Sequence, residues 1–258
     1  MRLTSIHNPR LQEIRRAAIS GRPTPDGLVV AEGPHLLEEV LRSSWGVEEV
    51  FCTAEASIRF SDLIARTRIT VTDLSTRAFE SVATTESTQG LLALLRPRAW
   101  TFEETIAGNA LTVICDAIQD PGNAGTIARS AEAFGATGIL LTDGCARVSN
   151  GKVLRAAAGS LFRIPYMESV TRSQISELFA GAGLRVYSLT AESTTPLFAC
   201  DLRGPCALQI GNEGAGLSPE LLTLGSPVCI PTARVESLNA AVACSIALFE
   251  AARQRNAK

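Results

Sequence analysis

Short apolar runs alternate with stretches of helical period through the first hundred residues. The spacing predicts a helix near Pro9–Ile19, a strand at "LVVA" (Leu28–Ala31) and a helix through "PHLLEEVLRS". It then predicts a strand at "VEEVFC", a helix around Ile58–Arg66, a strand at "ITVT", a helix near Arg77 and a closing strand at "GLLALL". Such alternation points to a small α/β layer structure. "RPRAW" (Arg96–Trp100) interrupts the pattern with a proline between two arginines and reads as a linker, with a domain boundary at about Pro97.

Beyond it the apolar runs are longer and more continuous: "LTVICDA", "GILLTD", "LRVYSLT", "CALQIG" and "PVCIP". Strands covered on both faces read this way, so a parallel sheet is expected. Ligands of open α/β sheets lie beyond the carboxyl ends of the strands. Three polar clusters sit at such ends: "QDPGNAGTIAR" after the first run, "NEGAG" after the fourth and "TARVESLN" after the fifth.

Composition narrows the class. With 258 residues, 46% hydrophobic and 19% charged, the chain suits one large or two ordinary soluble domains. No apolar run approaches the roughly 18–20 residues that would span a bilayer, and Met1–Arg10 lacks the apolar core of a secretion signal. The seven cysteines are scattered, odd in number and never spaced C-x-x-C. Neither a zinc site nor a disulfide framework is expected, and the cytoplasm is the expected location. The net charge of −2 argues against a protein coated in nucleic acid. Two local runs, Arg10–Arg22 and Ala146–Arg163, are nevertheless basic. Each alone reads as a solvated helix face; together they keep a polyanionic partner open.

In "DAIQDPGNAGTIARSAEAFGA" (Asp116–Ala136), Asp120-Pro121-Gly122 is a turn, Asn123 a helix N-cap and Gly135 a terminator. Ala124, Ile127, Ala128, Ala131 and Phe134 then fall on one helical face, leaving Arg129 pointing away from it, either to solvent or to a phosphate. "QIGNEGAGLS" carries Gly211, Gly214 and Gly216 in the order G-x-x-G-x-G, not the order of a dinucleotide fingerprint, and it comes when the sheet is almost complete. A nicotinamide oxidoreductase therefore fails on glycine order and position. With Glu213 inside the loop, the glycines are expected to allow close approach to a flat, uncharged group. Ser237 or Glu236 is expected to open a final helix, apolar nearly all round from Leu238 to Phe249 and so covered on two sides.

Taken together, "DPGNAGTIARSAEAFGA", "IGNEGAGLS" and "IPTARVESLNAAVA" resemble the SpoU/TrmH family of knotted RNA methyltransferases, with "SNGKVLRAAAGSLFRIP" similar to its connecting segment. "NPRLQEIRR", "AEGPHLLEEVL" and "TQGLLALL" are similar to the small ribosomal-protein-like RNA-binding domain that many members carry in front. The resemblance implies an α/β fold: a C-terminal parallel sheet with a deep trefoil knot, preceded by a small α/β/α domain. It divides the chain into an RNA substrate-binding domain (1–97), a linker (98–108) and a knotted methyltransferase domain (109–258). It implies a homodimer through the knotted domain and final helix, no metal, no membrane, and S-adenosylmethionine bound in a bent shape against Gly211, Asn212, Gly214, Ile230, Leu238 and Asn239. The implied reaction is methyl transfer to a ribose 2′-hydroxyl of ribosomal or transfer RNA, the two-domain build favouring ribosomal RNA. Arg129 would meet the phosphate or ribose and assist deprotonation, while Asn123, Glu213, Ser237 and Asn239 orient the reacting groups. The chain departs from the family pattern at Thr232-Ala233-Arg234, a shorter loop lacking a glycine, and at Ala240-Ala241 in place of Val-Ser. That loop motivates an alternative: a non-catalytic RNA-binding or assembly factor retaining the fold.

Overall fold

The structure, a computed structural model, describes residues 2–256. The chain forms two compact units: Met1–Ala99 with Arg147–Arg163, and Trp100–Ala146 with Ile164–Lys258.

The first unit runs β1 (Arg2–Leu3), α1 (Pro9–Ser20), β2 (Val29–Glu32), α2 (Pro34–Val40), β3 (Gly46–Thr53), α3 (Ala54–Arg59), α4 (Ser61–Thr67), β4 (Val71–Leu74), α5 (Thr76–Glu80) and β5 (Leu91–Arg96). Its sheet is ordered β1-β4-β3-β5-β2, with β5 antiparallel to both neighbours. Helix α1 starts where the Asn8 side chain accepts the Arg10 and Leu11 N–H groups, with Pro9 in its first turn, and stops at Gly21 in the left-handed region (φ +63°). Leu11, Ile14 and Ala17 line its buried face against Val30, Phe51, Phe79 and Leu92. The one helix expected around Ile58–Arg66 is two. The backbone leaves helical geometry at Phe60 (φ −114°, ψ 25°), and α4 buries no residue that would hold a continuous rod to the core. The basic run Arg10–Arg22 is partly spent internally: Arg10 pairs with Glu13, Asp26 and Glu49 and holds the Asp26 carboxyl down at about 2.

The second unit adds α6 (Phe102–Thr105), β6 (Leu111–Cys115), α7 (Pro121–Ala133) and β7 (Gly138–Thr142). The chain then enters α8 (Gly151–Ala157), which belongs to the first unit, and continues through β8 (Tyr166–Val170), α9 (Arg172–Ala180), β9 (Arg185–Leu189), β10 (Cys206–Ile210), α10 (Pro219–Leu224), β11 (Ser226–Val228) and α11 (Ala240–Asn256). The six strands lie in the order β11-β9-β10-β6-β7-β8, every neighbouring pair parallel. The edge strand β8 escaped the apolar-run reading because Glu168 and Ser169 are exposed. The stretch expected as a linker, 98–108, carries α6, which a capping box between Thr101 and Glu104 starts. A Cβ at Gly138 would lie 2.4 Å from that of Thr105, so glycine there lets α6 meet β7.

Two helix starts differ from expectation. Asp120, not Asn123, caps α7: its carboxylate accepts the Asn123 N–H at 2.7 Å, leaving the Asn123 amide free to point elsewhere. Helix α11 begins after Asn239, whose side chain accepts from Ala241 and Val242, rather than at Glu236 or Ser237. Gly135 does terminate α7, with Ala136 bonding back to Ala131 and Gly135 to Glu132. Near its far end α11 is fastened by Arg255, which donates to the carbonyls of Asn109, Ala110, Leu202 and Gly204 at 2.7–2.9 Å.

Segment 147–163 is pinned within the first unit. The Ser149 hydroxyl donates to the Gly21 carbonyl (2.7 Å), Arg163 pairs with Glu39 (2.6 Å), and the Phe162 and Trp45 rings meet edge to face at 4.9 Å. In the same unit Glu32 ends β2 almost buried, accepting the Thr84 N–H and hydroxyl at 2.7 and 2.9 Å and the Thr85 hydroxyl. Burial pushes this carboxyl up, but the hydrogen bonds from Thr85 and Thr84 outweigh it and hold the group below its ordinary 4.5. A depressed carboxylate stabilises above its unfolded pKa and loses that contribution as pH falls through the folded one. Glu32→Gln should therefore cost about 1–3 kcal/mol at neutral pH. The gap from wild type should narrow as the medium is acidified below the ordinary carboxylate value, which urea unfolding across a pH series measures.

Candidate functional site

Strands β6 and β10 are neighbours at the centre of the second sheet, and the chain continues from them toward opposite edges. The carboxyl ends of such a pair open a crevice. Asp116, one residue past β6, is 1% exposed and carries charge into the floor of this region. Its carboxylate takes Arg172 at 2.7 Å, the Thr142 hydroxyl at 3.3 Å and the Ser218 backbone N–H at 2.7 Å. The next residue, Ala117, sits at φ +52°, and its carbonyl accepts the Asn212 side-chain amide at 2.9 Å. The glycine loop between Ile210 and Ser218 is thus fixed at both ends to the exit of β6.

Inside the loop, Asn212 and Gly216 exchange backbone hydrogen bonds, and the Asn212 side-chain oxygen accepts from Gly214 and Ala215. A Cβ at Gly211 would fall 2.2 Å from the Gly216 carbonyl carbon. The close approach expected of this glycine is therefore made to the loop's own backbone. At Gly214 the nearest atom is 3.6 Å away.

Three distant segments meet beside the loop. The Asn123 amide donates to Glu213, and the Asn123 oxygen accepts from the Asn239 amide at 3.1 Å. Helices α7 and α11 run side by side in the same direction: Ser130 bonds Ser245 at 2.7 Å and the Phe134 ring meets Phe249 at 5.8 Å.

Loop and helix start enclose a cleft of about 320 Å³ lined by 189–192, 210–217 and 236–238 with Ile230, Thr232, Ala240 and Ala243. Of the residues singled out in the sequence, Gly211, Asn212, Glu213, Gly214, Ile230, Ser237 and Leu238 line it. Asn123 and Asn239 adjoin it through the Glu213 chain. Arg129 does not line it; it is exposed on α7, roughly 9 Å along the axis from Asn123. Thr190 and Glu192 were missed, although they directly follow β9, where the strand-end rule applied to "LRVYSLT" would have found them. Among the described residues the lining contains three carboxylates, Glu192, Glu213 and Glu236, and neither lysine nor arginine. Such a cleft favours a cation with a neutral body over a phosphate. The Cys244 thiol, next to the lining residue Ala243, is unsuited to nucleophilic work, since burial pushes it up to about 12.

Comparison with known proteins agrees with this geometry. The SpoU rRNA Methylase family profile matches residues 110–249, and the MRM3-like substrate binding domain profile matches residues 8–93. The chain belongs to the SpoU rRNA methylase family. It is 35% identical over 249 residues to the Bacillus subtilis (strain 168) 23S rRNA (guanosine(2553)-2'-O)-methyltransferase RlmP, covering 96% of this chain and 97% of that one. It superposes on the AdoMet-bound rRNA methyltransferase from Sinorhizobium meliloti with a TM-score of 0.84 and 27% identity, covering 100% and 99% of the two chains. It also superposes on the SpoU methyltransferase AviRb from Streptomyces viridochromogenes in complex with AdoMet, at 0.83 and 26%, covering 96% and 99%. The fold is the knotted α/β fold of these SpoU methyltransferases, an exception to the rule that chains avoid threading loops. Among the described residues no helix is long and apolar enough to cross a membrane.

The loop geometry separates its two central glycines. Gly211→Ala should lower stability by about 1–3 kcal/mol, because backbone must move to admit the methyl. Gly214→Ala should change it by less than about 0.5 kcal/mol. Guanidinium unfolding of the two variants tests this, and equal effects would contradict the loop as described.

Proposed function

We propose that the protein transfers a methyl group from S-adenosylmethionine to a ribose 2′-hydroxyl of ribosomal RNA. The observation that carries this reading is the cleft at the end of the central strands, which among the described residues has three carboxylates and no basic residue. That lining fits a sulfonium and its uncharged adenosine and repels the phosphates of a nucleotide cofactor. When bound, S-adenosylmethionine supplies a methyl group already activated by positively charged sulfur, so the residues need only align the 2′-oxygen and ease loss of its proton.

Gly211, Asn212, Gly214, Ile230, Leu238 and Asn239 hold the methyl donor, the loop supplying backbone contacts. Glu213 is held by the Asn123 amide, and Asn123 by Asn239, so the acid, the two amides and Ser237 form one orienting set. Arg129, exposed on α7, meets a phosphate or the ribose of the target. A guanidinium is a poor base. Its contribution is to stabilise developing negative charge on the 2′-oxygen as the proton departs to water.

Residues 1–97, joined by 147–163, select the RNA, and the rest of the chain beyond 97 carries out the transfer. The protein works in the cytoplasm as a homodimer. Supporting the dimer, Val242, Ile246 and Phe249 are 39–55% exposed at helical spacing on α11, while Ala240, Cys244, Ala247, Leu248 and Ala251 are buried.

Purified protein should bind S-adenosylhomocysteine in calorimetry and place labelled methyl on ribose of ribosomal RNA from cells lacking it; cofactor binding without ribose label would defeat the reading. Arg129→Ala should cut kcat by about 10²–10³-fold with cofactor affinity within about twofold. Unaltered turnover would make Arg129 an ordinary surface arginine. In sedimentation, wild type should run as a dimer and Ile246→Glu with Phe249→Glu as a monomer; a monomeric wild type would remove the dimer from this scheme.

A further inference from the structure

A second cavity, about 330 Å³, lies wholly within the first unit. Its walls include Glu32, His35, Leu36, Ser87, Gln89 and Arg155. That size falls at the lower end of the roughly 300–1,000 Å³ typical of small-ligand sites.

Arg155 decides what the cavity can take. Its Nη1 is buried and has no hydrogen-bond partner among the described residues. A guanidinium N–H removed from water without an acceptor is unfavourable unless something else supplies one. Glu32, the sole carboxylate of the lining, does not fill that role. Its oxygens are taken by the Thr84 N–H and the hydroxyls of Thr84 and Thr85, which also fix the loop bearing Ser87 and Gln89. Room for the guanidinium comes from Gly151, where a Cβ would approach Nη1 to 3.2 Å.

With one guanidinium and one ionised carboxylate the lining is close to neutral, which disfavours a phosphate and suits an uncharged polar ring. Leu36 offers an apolar wall, His35 a ring for stacking, and Ser87 and Gln89 hydrogen-bonding groups. Single-stranded RNA is recognised through unstacked bases held in this manner. The O6/N7 edge of guanine is the acceptor pair that a guanidinium matches best.

We propose that this cavity receives an unpaired guanine of the substrate RNA, with Arg155 donating to its acceptor edge. The inference rests on the RNA-methyltransferase reading above. It assigns a base contact to Arg155, which lies outside the matched substrate-binding segment, residues 8–93, and inside the basic run Ala146–Arg163.

The test uses the full chain and fluorescein-labelled RNA pentamers UUNUU, with each base in turn at the centre, read by anisotropy. The guanine pentamer should bind about tenfold more tightly than the others. Arg155→Gln should abolish that preference while the salt dependence of binding stays the same. In methylation assays on ribosomal RNA the same variant should raise KM about tenfold with kcat within about twofold. Three results would overturn the proposal: no base preference in wild type, an unchanged preference in Arg155→Gln, or a uniform loss with the salt slope reduced by about one, which marks a phosphate contact. If Arg155→Gln fails to fold by circular dichroism, Gln89→Ala decides: its preference should weaken, and an unchanged one refutes the site. Failure of wild type to methylate ribosomal RNA would count against the parent reading instead, since the pentamer preference is measured without methyl transfer.

Discussion

The Asp116 carboxylate is the constraint on which the site depends. It is buried at the end of a central strand, where an unpaired charge would be strongly unfavourable, so its partners are obligatory. Those partners come from three places: Arg172 at the start of α9, Thr142 at the end of β7, and the Ser218 N–H at the close of the glycine loop. Satisfying one charge therefore sets the relative positions of a helix, a strand and a loop. The left-handed Ala117 adds the second fixation, through Asn212. The loop can be exposed and rich in glycine, yet still hold one shape, because its two ends are not free.

The sheet was legible because buried parallel strands leave a clear trace: runs such as "LTVIC" and "CALQI", apolar but for one uncharged polar residue each. β8 left no such trace, since an edge strand need not be apolar. The interruption at Phe60 and the true caps of α7 and α11 were also hidden. In each case several residues can start or stop the helix, and tertiary hydrogen bonding chooses among them. At α7, Asp120 capping releases the Asn123 side chain for Glu213 and Asn239, a choice dictated by contacts 90 and 116 positions away.

The site followed the same division. Several residues at strand ends, among them Gly211, Asn212, Glu213 and Ile230, were readable from position and line one cleft, whereas Asn123 and Asn239 only adjoin it and Arg129 does not reach it. The acidic character of that cleft was not readable, because Glu192 and Glu236 belong to different loops and become neighbours of Glu213 only when β9 lies beside β10. Likewise, nothing in the spacing placed 147–163 with the first unit. That grouping depends on Ser149, Phe162 and Arg163 finding Gly21, Trp45 and Glu39.

Arg255 clasps four main-chain carbonyls beneath the sheet, and α11, which carries it, supplies both Asn239's capped turn and the Ala243 wall of the cleft. During synthesis the growing polypeptide would therefore emerge with most of its β-structure available but the binding chamber still missing a side. Completion of the chamber therefore waits for α11, whose anchoring clasp sits at the end of the helix opposite the cleft.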